Sequence, residues 1–370
     1  MTGIILILSI SIAALGLIVF FNFAPQLGDK ARGERLERMQ STTNYRNGKF
    51  YNTIPTGMNM KPGKMLGVMW KFIFKKKGRE PISAFHVKTF KTEYFLNSDP
   101  NHLFFSWFGH SSLLVRIDGK ILLLDPVFSE RASMFTFMGP KRFPYTHYMD
   151  TDQLPPVDAV IISHDHYDHL DYKVIRKLAD RVPAFYVPLS VGAHLEKWGV
   201  PSERIIEIAW WETTQLDSLT FVFTPSRHFS GRGLNNRFTT LWGSWVIVGK
   251  KERLFFGGDS GYFPGFKEIG EKFGPFDLTF LECGAYNENW ADIHMMPEET
   301  VQANIDLKGN ILMPIHWGKF SLALHPWKEP VERALKRSRE LNVNMITPEI
   351  GRIMKLENKM VTPLWWQNYQ

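Results

Sequence analysis

Cysteine is almost missing from this chain of 370 residues: Cys283 is the sole one. No disulfide within the chain can staple the fold, and a single thiol is compatible with any redox compartment. Charged residues are modest at 22% while aromatics reach 14%, which excludes disorder as the main state. No self-similar repeat of about 20–50 residues is visible, so a solenoid or propeller is not indicated. A basic track across the body is missing too. The net charge is +7, yet residues 1–80 hold 13 Lys/Arg against 4 Asp/Glu, or +9, and the other 290 residues come to −2. A nearly neutral body argues against nucleic acid as a partner, because gripping a phosphate backbone needs clustered cations. At 44% hydrophobic content, the chain has ample material for one large core or two ordinary ones.

What is present begins with residues 4–21, IILILSISIAALGLIVFF, which carry no charge. As a helix this run would extend about 27 Å, close to the hydrocarbon thickness of a bilayer. A cleaved secretory signal would want basic residues before the run and a small-x-small site after it. Nothing basic precedes it, and Asn22-Phe23-Ala24-Pro25 is a poor cleavage site. Residues 1–24 therefore read as an uncleaved membrane anchor in the form of a hydrophobic helix. Lys30, Arg32, Arg35 and Arg38 follow closely, and Lys75, Lys76, Lys77 and Arg79 come later. The positive-inside rule then holds the bulk of the chain on the cytoplasmic side, and the basic residues suit a membrane surface with anionic lipid. For Lys75–Lys77 alone, a solvated face is the competing reading.

Residues 25–100 show Gly, Pro and Asn clusters without a sustained period, and read as a basic, extended arm wrapping the body. Residues 101–370 read as the folded body. LFFSWFG, SSLLVRID and ILLLDP (103–126) have the texture of consecutive strands, and AVIISH (159–164) that of a buried strand. Helices over 171–180 and 190–198 flank FYVP (185–188). RIIEIAW, LTFVFTPS, LWGSWVIVG and RLFFGGDS add strands between 204 and 260. Strand LTFLEC, helix 297–307, strand ILMPIHW, helix 329–341 and a strand near 352–356 complete the order. Two strand-rich halves with helices between the strands suggest an α/β fold of the αββα type, two sheets face to face with helices outside.

The strongest chemical signal is Ser163-His164-Asp165-His166-Tyr167-Asp168-His169, directly after the buried strand 159–164. Imidazole and carboxylate suit zinc and similar divalent ions. In extended backbone His164 and His166 point the same way, while Asp168 and His169 lie past a turn and could face a second ion. One loop cannot supply two ions alone. His228 after FVFTPSR, Asp259 after FFGG and His316 after LMPI stand at strand ends, where neighbouring strands converge on one sheet edge. The glycines around Asp259 let backbone approach closely. Any one of these residues taken singly is more simply a structural His or a turn Asp; the cluster is what makes them ligand candidates.

These residues resemble the metallo-β-lactamase superfamily of hydrolases: an HxHxDH motif, then a distal His, a GGD-type Asp and a terminal His-Trp-Gly. Phe108-Gly109-His110-Ser111, Asp125-Pro126-Val127-Phe128-Ser129-Glu130-Arg131, Trp210-Trp211-Glu212, Leu241-Trp242-Gly243-Ser244-Trp245 and Phe273-Gly274-Pro275-Phe276-Asp277-Leu278 narrow it. They are similar to the branch of N-acylphosphatidylethanolamine-hydrolysing phospholipase D (NAPE-PLD). The resemblance is dense over about residues 100–320. It implies two Zn2+ per chain, one held by His164, His166 and His228, the other by Asp168, His169 and His316, with Asp259 bridging. It also makes His294, in Asp292-Ile293-His294-Met295-Met296-Pro297, a candidate proton donor. The chain departs from the family pattern at Asp165, at Glu282-Cys283-Gly284 and at Ile293, which puts the substrate pocket in question rather than the metal ligands.

Such a centre lowers the pKa of a shared water toward neutral and neutralises charge as it builds on phosphoryl oxygens. The expected activity is a zinc-dependent phosphodiesterase of phospholipase D type, with Asp168, Asp259 and His294 in catalytic roles. Tyr167, Tyr286, Trp290 and Lys319 are candidates to line the substrate pocket, and His110 reads as a buried support residue. Ser226 and Ser260 read as turn or supporting groups rather than nucleophiles. A phospholipid substrate, attachment to a bacterial inner membrane facing the cytoplasm, and an open oligomeric state, a dimer included, complete the expectation. The competing readings are hydrolysis of another bond (a lactone, an ester or a β-lactam) and a metal-loaded scaffold without catalysis.

Overall fold

The computed structural model describes residues 24–57, 62–74, 77–233 and 235–370, together with Ile5, Ser9, Ser11 and Gly16. The expected anchor over residues 1–24 lies almost wholly outside the described residues, as do Lys75 and Lys76. Among the described residues no helix is long and apolar enough to cross a membrane.

A hairpin of β1 (Tyr45–Arg46) and β2 (Lys49–Phe50) precedes the body. The first large sheet is built from β3 (Phe104–Trp107), β4 (Leu113–Ile117), β5 (Lys120–Leu124), β6 (Ala159–Ile161), β7 (Ala184–Pro188) and β8 (Ile205–Ile208). The second holds β9 (Thr213–Leu216), β10 (Leu219–Thr224), β11 (Ser244–Val248), β12 (Arg253–Phe256), β13 (Phe276–Glu282), β14 (Gly309–Ile315) and β15 (Asn344–Met345). The last strand, β16 (Ile353–Lys355), returns to the first sheet beside β3. The strand orders are β16-β3-β4-β5-β6-β7-β8 and β15-β14-β13-β12-β11-β10-β9. Each sheet is antiparallel at one end and parallel where helices cross over, between β5 and β8 and between β12 and β15. This is the αββα sandwich anticipated from the strand pattern.

Alternation along the strands decides which side chain meets which layer. Phe105, Val115, Leu122 and Ile161 of the first sheet meet Phe223, Trp245, Phe256, Phe280 and Met313 of the second in one inner core. The intervening residues, such as Leu114, Leu123, Val160 and Phe185, pack outward on helices Tyr172–Leu178 and Gly192–Lys197. Val246, Phe255, Leu281 and Leu312 do the same against helices Gly265–Phe273, Pro297–Asp306 and Glu329–Glu340. Strands buried on both faces read as near-continuous apolar runs for this reason. Each large side chain so buried contributes about 1.5–3 kcal/mol. The Trp245 indole spans the sandwich and donates to the Ile162 carbonyl at 2.8 Å, tying the second sheet to the strand that leads into the HxHxDH loop.

Residues 25–100 differ from the irregular arm expected. Helices Gly33–Gln40, Pro62–Phe74 and Thr92–Leu96 lie within them. The first buries Met39 and packs Leu36 on the inner core. Its Arg35 meets Glu207 at 2.5 Å and Glu196 at 2.7 Å, and Arg38 pairs with Glu212. At eight residues its periodicity is too short to stand out, and its ion-pair partners lie 161 to 174 residues away in sequence. Helix Gly265–Phe273 and edge strand β9 were likewise not legible, the latter because Thr213, Thr214 and Gln215 lack an apolar alternation.

Candidate metal centre

Four strand exits converge at one edge of the sandwich. The loop after β6 brings His164, His166, Asp168 and His169; β10 leads to His228, β12 to Asp259 and β14 to His316. All but His166 and Asp168 are buried. The ligand-capable atoms of His164, His166, His228 and Asp259 lie within 4.8 Å of one another. His164 Nε2 is 2.9 Å from His166 Nδ1, and His228 Nε2 is 3.3 Å from that same atom. Asp259 Oδ2 stands 3.8 Å from His164 Nε2 and 3.7 Å from His228 Nε2. On the other side His316 Nε2 is 3.1 Å from Asp259 Oδ2 and 3.3 Å from Asp168 Oδ2. His169 Nε2 is 3.2 Å from Asp259 Oδ1 and 3.6 Å from Asp168 Oδ2. Asp259 thus faces both groups. Backbone geometry requires the glycine before it: Gly258 has φ +56°, and a Cβ there would fall 2.7 Å from the Ser163 Cβ.

The nitrogens that point inward are oriented from behind. His228 donates Nδ1–H to the Ile293 carbonyl at 2.8 Å, which leaves Nε2 with its lone pair toward the centre. His169 Nδ1 is held by Asp125 Oδ2 at 2.6 Å. The Ser163 hydroxyl spends its proton on Asp125, so its oxygen accepts from His164 Nδ1, 3.0 Å away. His110, fully buried, sets Nε2 3.0 Å from Asp168 Oδ2 and its ring 3.9 Å from that of His316. Outer partners of this kind fix tautomer and ring orientation in metal sites.

Burial pushes the His164 and His228 imidazoles well below their usual pKa, reinforced by neighbouring histidines. Burial has the same direction at His316, but Asp259 and Asp168 overcome it and raise that ring to about 10. Burial would raise the pKa of Asp259, yet His169 and His316 hold it well below the carboxylate range. His169 Nε2, His316 Nε2 and Asp259 Oδ1 are buried and make no hydrogen bond. Buried polar atoms without a partner are rare and call for an explanation. Imidazole nitrogens and carboxylate oxygens aimed at common points are the donor set of borderline divalent ions, so the residues fit a pair of metals.

Comparison with known proteins agrees with this geometry. A beta-lactamase superfamily domain model matches residues 120–317. The chain belongs to the metallo-β-lactamase superfamily. It is 44% identical over 347 residues to an uncharacterized protein of Mycobacterium tuberculosis, covering 92% of this chain and 91% of that one. It is 29% identical over 337 residues to N-acyl-phosphatidylethanolamine-hydrolyzing phospholipase D 1 of Caenorhabditis elegans, covering 85% of this chain and 94% of the relative. Within the superfamily the chain lies on this NAPE-PLD-like branch. Igni18, a metallo hydrolase from the archaeon Ignicoccus hospitalis, shares the fold with a TM-score of 0.51 at 20% identity, over 69% of this chain and 98% of its own. The protein is a metal-dependent hydrolase of this superfamily.

The other expected site residues fare differently. His294 sits beside the centre, with Nδ1 2.9 Å from Glu282 Oε2 and its ring 5.1 Å from that of His228. Lys319 does not reach a phosphate position. It is buried, and its ammonium donates to the carbonyls of Phe108 (3.2 Å) and Val127 (2.6 Å), so it braces two loops from within. Tyr286 also turns away, donating to Glu329 and stacking on His325 at 4.3 Å. Trp290 donates to the Ala285 carbonyl and packs in a small cluster with Ile293, beside His294. Tyr167 is half-buried, its hydroxyl tied to the Arg232 carbonyl and its ring under that guanidinium at 4.0 Å. Ser260 is a supporting group as anticipated, its hydroxyl accepting from Arg227 N at 2.9 Å.

Sequence reasoning gave no role to Asp125, Glu282, Asn52 or Asp165. Asp125 carries the same signal as Asp259, an Asp at the exit of an apolar strand. Asp165 stays out of the candidate ligand set and pins the loop, accepting from Gly231 N (2.7 Å), Thr240 Oγ1 (2.9 Å) and His194 Nε2 (3.3 Å). Asn52 brackets His228, accepting from its N–H at 3.1 Å and donating to its carbonyl at 2.8 Å. That contact closes 176 residues of sequence, which no local pattern announces.

Proposed function

We propose that this hydrolase is a zinc-dependent phosphodiesterase of phospholipase D type, cleaving a phospholipid of the N-acylphosphatidylethanolamine class. The observation that carries the reading is the seven-ligand set with Asp259 facing both halves, joined to the likeness with a relative named for that reaction. Two divalent ions held there would lower the pKa of a water and offset charge on the phosphoryl oxygens. His164, His166, His228 and Asp259 would hold one, and Asp168, His169, His316 and Asp259 the other. The rest falls to side chains. Asp125 and the Ile293 carbonyl keep the imidazoles in the ligating tautomer. Glu282, fully buried, accepts Nδ1–H of His294 and so fixes the orientation of the ring. Nε2 is then the atom left free to exchange a proton with the leaving oxygen of the headgroup. A nucleophilic Ser or Cys is not needed, and Cys283 is buried with its thiol pushed above its usual pKa by burial.

Hydrolysis of a lactone, ester or β-lactam by the same centre is the second reading, since the ligand set alone does not choose the bond. A lipid panel run beside a lactone panel, with Asp259→Asn and metal analysis as controls, tests the choice. Release of phosphatidic acid from N-acylphosphatidylethanolamine supports the proposal. Turnover of lactones with phosphodiesters untouched overturns it. Attachment to a membrane facing the cytoplasm, through residues 1–24, remains part of the proposal.

A further inference from the structure

One helix combines an exposed apolar face with a seat beside the metal centre. Helix Pro62–Phe74 runs 13 residues, about 20 Å, which is too short to span a bilayer. Its Val68 and Phe72 pack on the cluster of Ala285, Trp290, Ile293 and Ala323, together with Phe229 and Leu322. Phe229 follows the ligand His228, and Ile293 precedes His294, so the helix rests on the rim of the site. Arg79 fixes its C-terminal end there, donating to the Phe72 carbonyl at 3.1 Å and to Ser321 Oγ at 3.2 Å. The opposite face points outward: Leu66, Trp70 and Phe74, at i, i+4 and i+8, are 68%, 60% and 61% exposed. The Trp70 and Phe74 rings touch at 4.0 Å.

A second apolar element flanks the same rim. Phe137 and Met138 are 75% and 53% exposed in the loop after Ala132. Ala132 packs with Val127 and Phe320, and Leu322 joins that cluster to the one beneath the helix. Large apolar side chains grouped in solvent mark an interaction surface. Charge says what kind. Residues 38–79 contain ten Lys/Arg and no Asp or Glu, and Lys71 and Lys77 are exposed. A short amphipathic helix with large apolar groups outward and exposed lysines on it and just after it matches an anionic bilayer surface.

We infer that Leu66, Trp70 and Phe74, with Phe137 and Met138, form a docking rim that lies in the interface of an anionic bilayer. This would hold the mouth of the metal centre at headgroup level. The functional meaning rests on the phospholipid reading above; the docking itself does not.

The test uses the full chain in vesicles with brominated acyl chains, of phosphatidylcholine alone or mixed with phosphatidylglycerol. The emission difference between the wild type and Trp70→Phe isolates Trp70. We expect that difference signal to be quenched, more strongly with phosphatidylglycerol. Quenching absent in both compositions overturns the inference, whether the face meets water, residues 4–21 or a second copy. Independently, Leu66→Ser/Trp70→Ser/Phe74→Ser should lower turnover of vesicle-embedded phospholipid by about tenfold or more while leaving a soluble aryl phosphodiester unchanged. An equal loss on both substrates also overturns it. If the wild type cleaves no phosphodiester at all, the lipid reading falls and the Trp70 quenching alone decides the docking.

Discussion

The two halves of the metal centre are built differently. The pocket of His164, His166 and His228 draws one carboxylate, the shared Asp259, and its rings are oriented by neutral groups: the Ile293 carbonyl and the Ser163 hydroxyl. The pocket of Asp168, His169 and His316 has two carboxylates among its ligands and a third, Asp125, behind His169. It also concentrates unusual backbone. His316 (φ +66°), His110 (φ +55°) and Asp125 (φ +36°) all lie in the left-handed region. Such conformations persist where surrounding structure holds them: His316 N–H donates to the His110 carbonyl and His110 N–H to the Trp317 carbonyl, each at 3.0 Å. The contrast teaches that one pocket is tuned by geometry and the other by charge. The first also leans on the N-terminal arm through Asn52, whereas the second is supported from within the sandwich.

Asp259 belongs to both pockets, so its loss should be the largest effect. For Asp259→Asn we expect kcat to fall by about 10³-fold or more, with under two metals per chain in elemental analysis. Retained activity would mean the halves work separately. The next effects separate the pockets. Asp125→Asn removes the charge behind His169 and should weaken metal affinity about 10–100-fold. Asn52→Ala should leave that pocket intact and loosen the three-histidine pocket through the His228 backbone. Competition with a graded chelator reads both, and identical two-metal release curves for the two variants would erase the distinction.

The acid side is read by leaving-group dependence. Glu282→Gln should lower kcat about 10²-fold on substrates with alkoxide leaving groups and hardly touch a nitrophenolate ester. An equal loss on both would assign Glu282 to folding alone. The smallest effect concerns Lys319. Burial lowers its pKa from 10.5 to about 7. Between these values the unfolded chain carries one more proton than the folded one, so stability rises as pH climbs from about 7 to 10. Its two carbonyl partners soften the shift, so the gain should be on the order of 2 kcal/mol. Thermal melts of the wild type against Lys319→Met check it: the variant should lose that slope.

Much of the fold was legible because its strands are buried on both faces. ILLLD, AVII and ILMPI announce themselves by composition, and the residues that follow them fall at a sheet edge by construction. The candidate ligands could be picked out because they are crowded into one loop or stand just after such strands. Lys319 and Tyr286 misled because nothing local distinguishes a side chain that faces a cleft from one that braces a loop. Lys319 is three residues past His316, and only the path of the chain turns its ammonium onto Phe108 and Val127. The arm was misjudged for a related reason: Leu36 and Met39 have too few neighbours in sequence to show a period, and their partners are in the core.

The order of residues alone determined the ligand chemistry, the layered architecture and the charge divide between arm and body, since side-chain type and local periodicity act over a few residues. The tertiary structure decided which atoms point inward. Asp259 between two histidine groups, Glu282 under His294, Asn52 on His228 and Phe72 on the Ile293 cluster all depend on segments far apart in the chain. Such contacts are set by packing and hydrogen-bond satisfaction across the whole sandwich, and no short stretch encodes them.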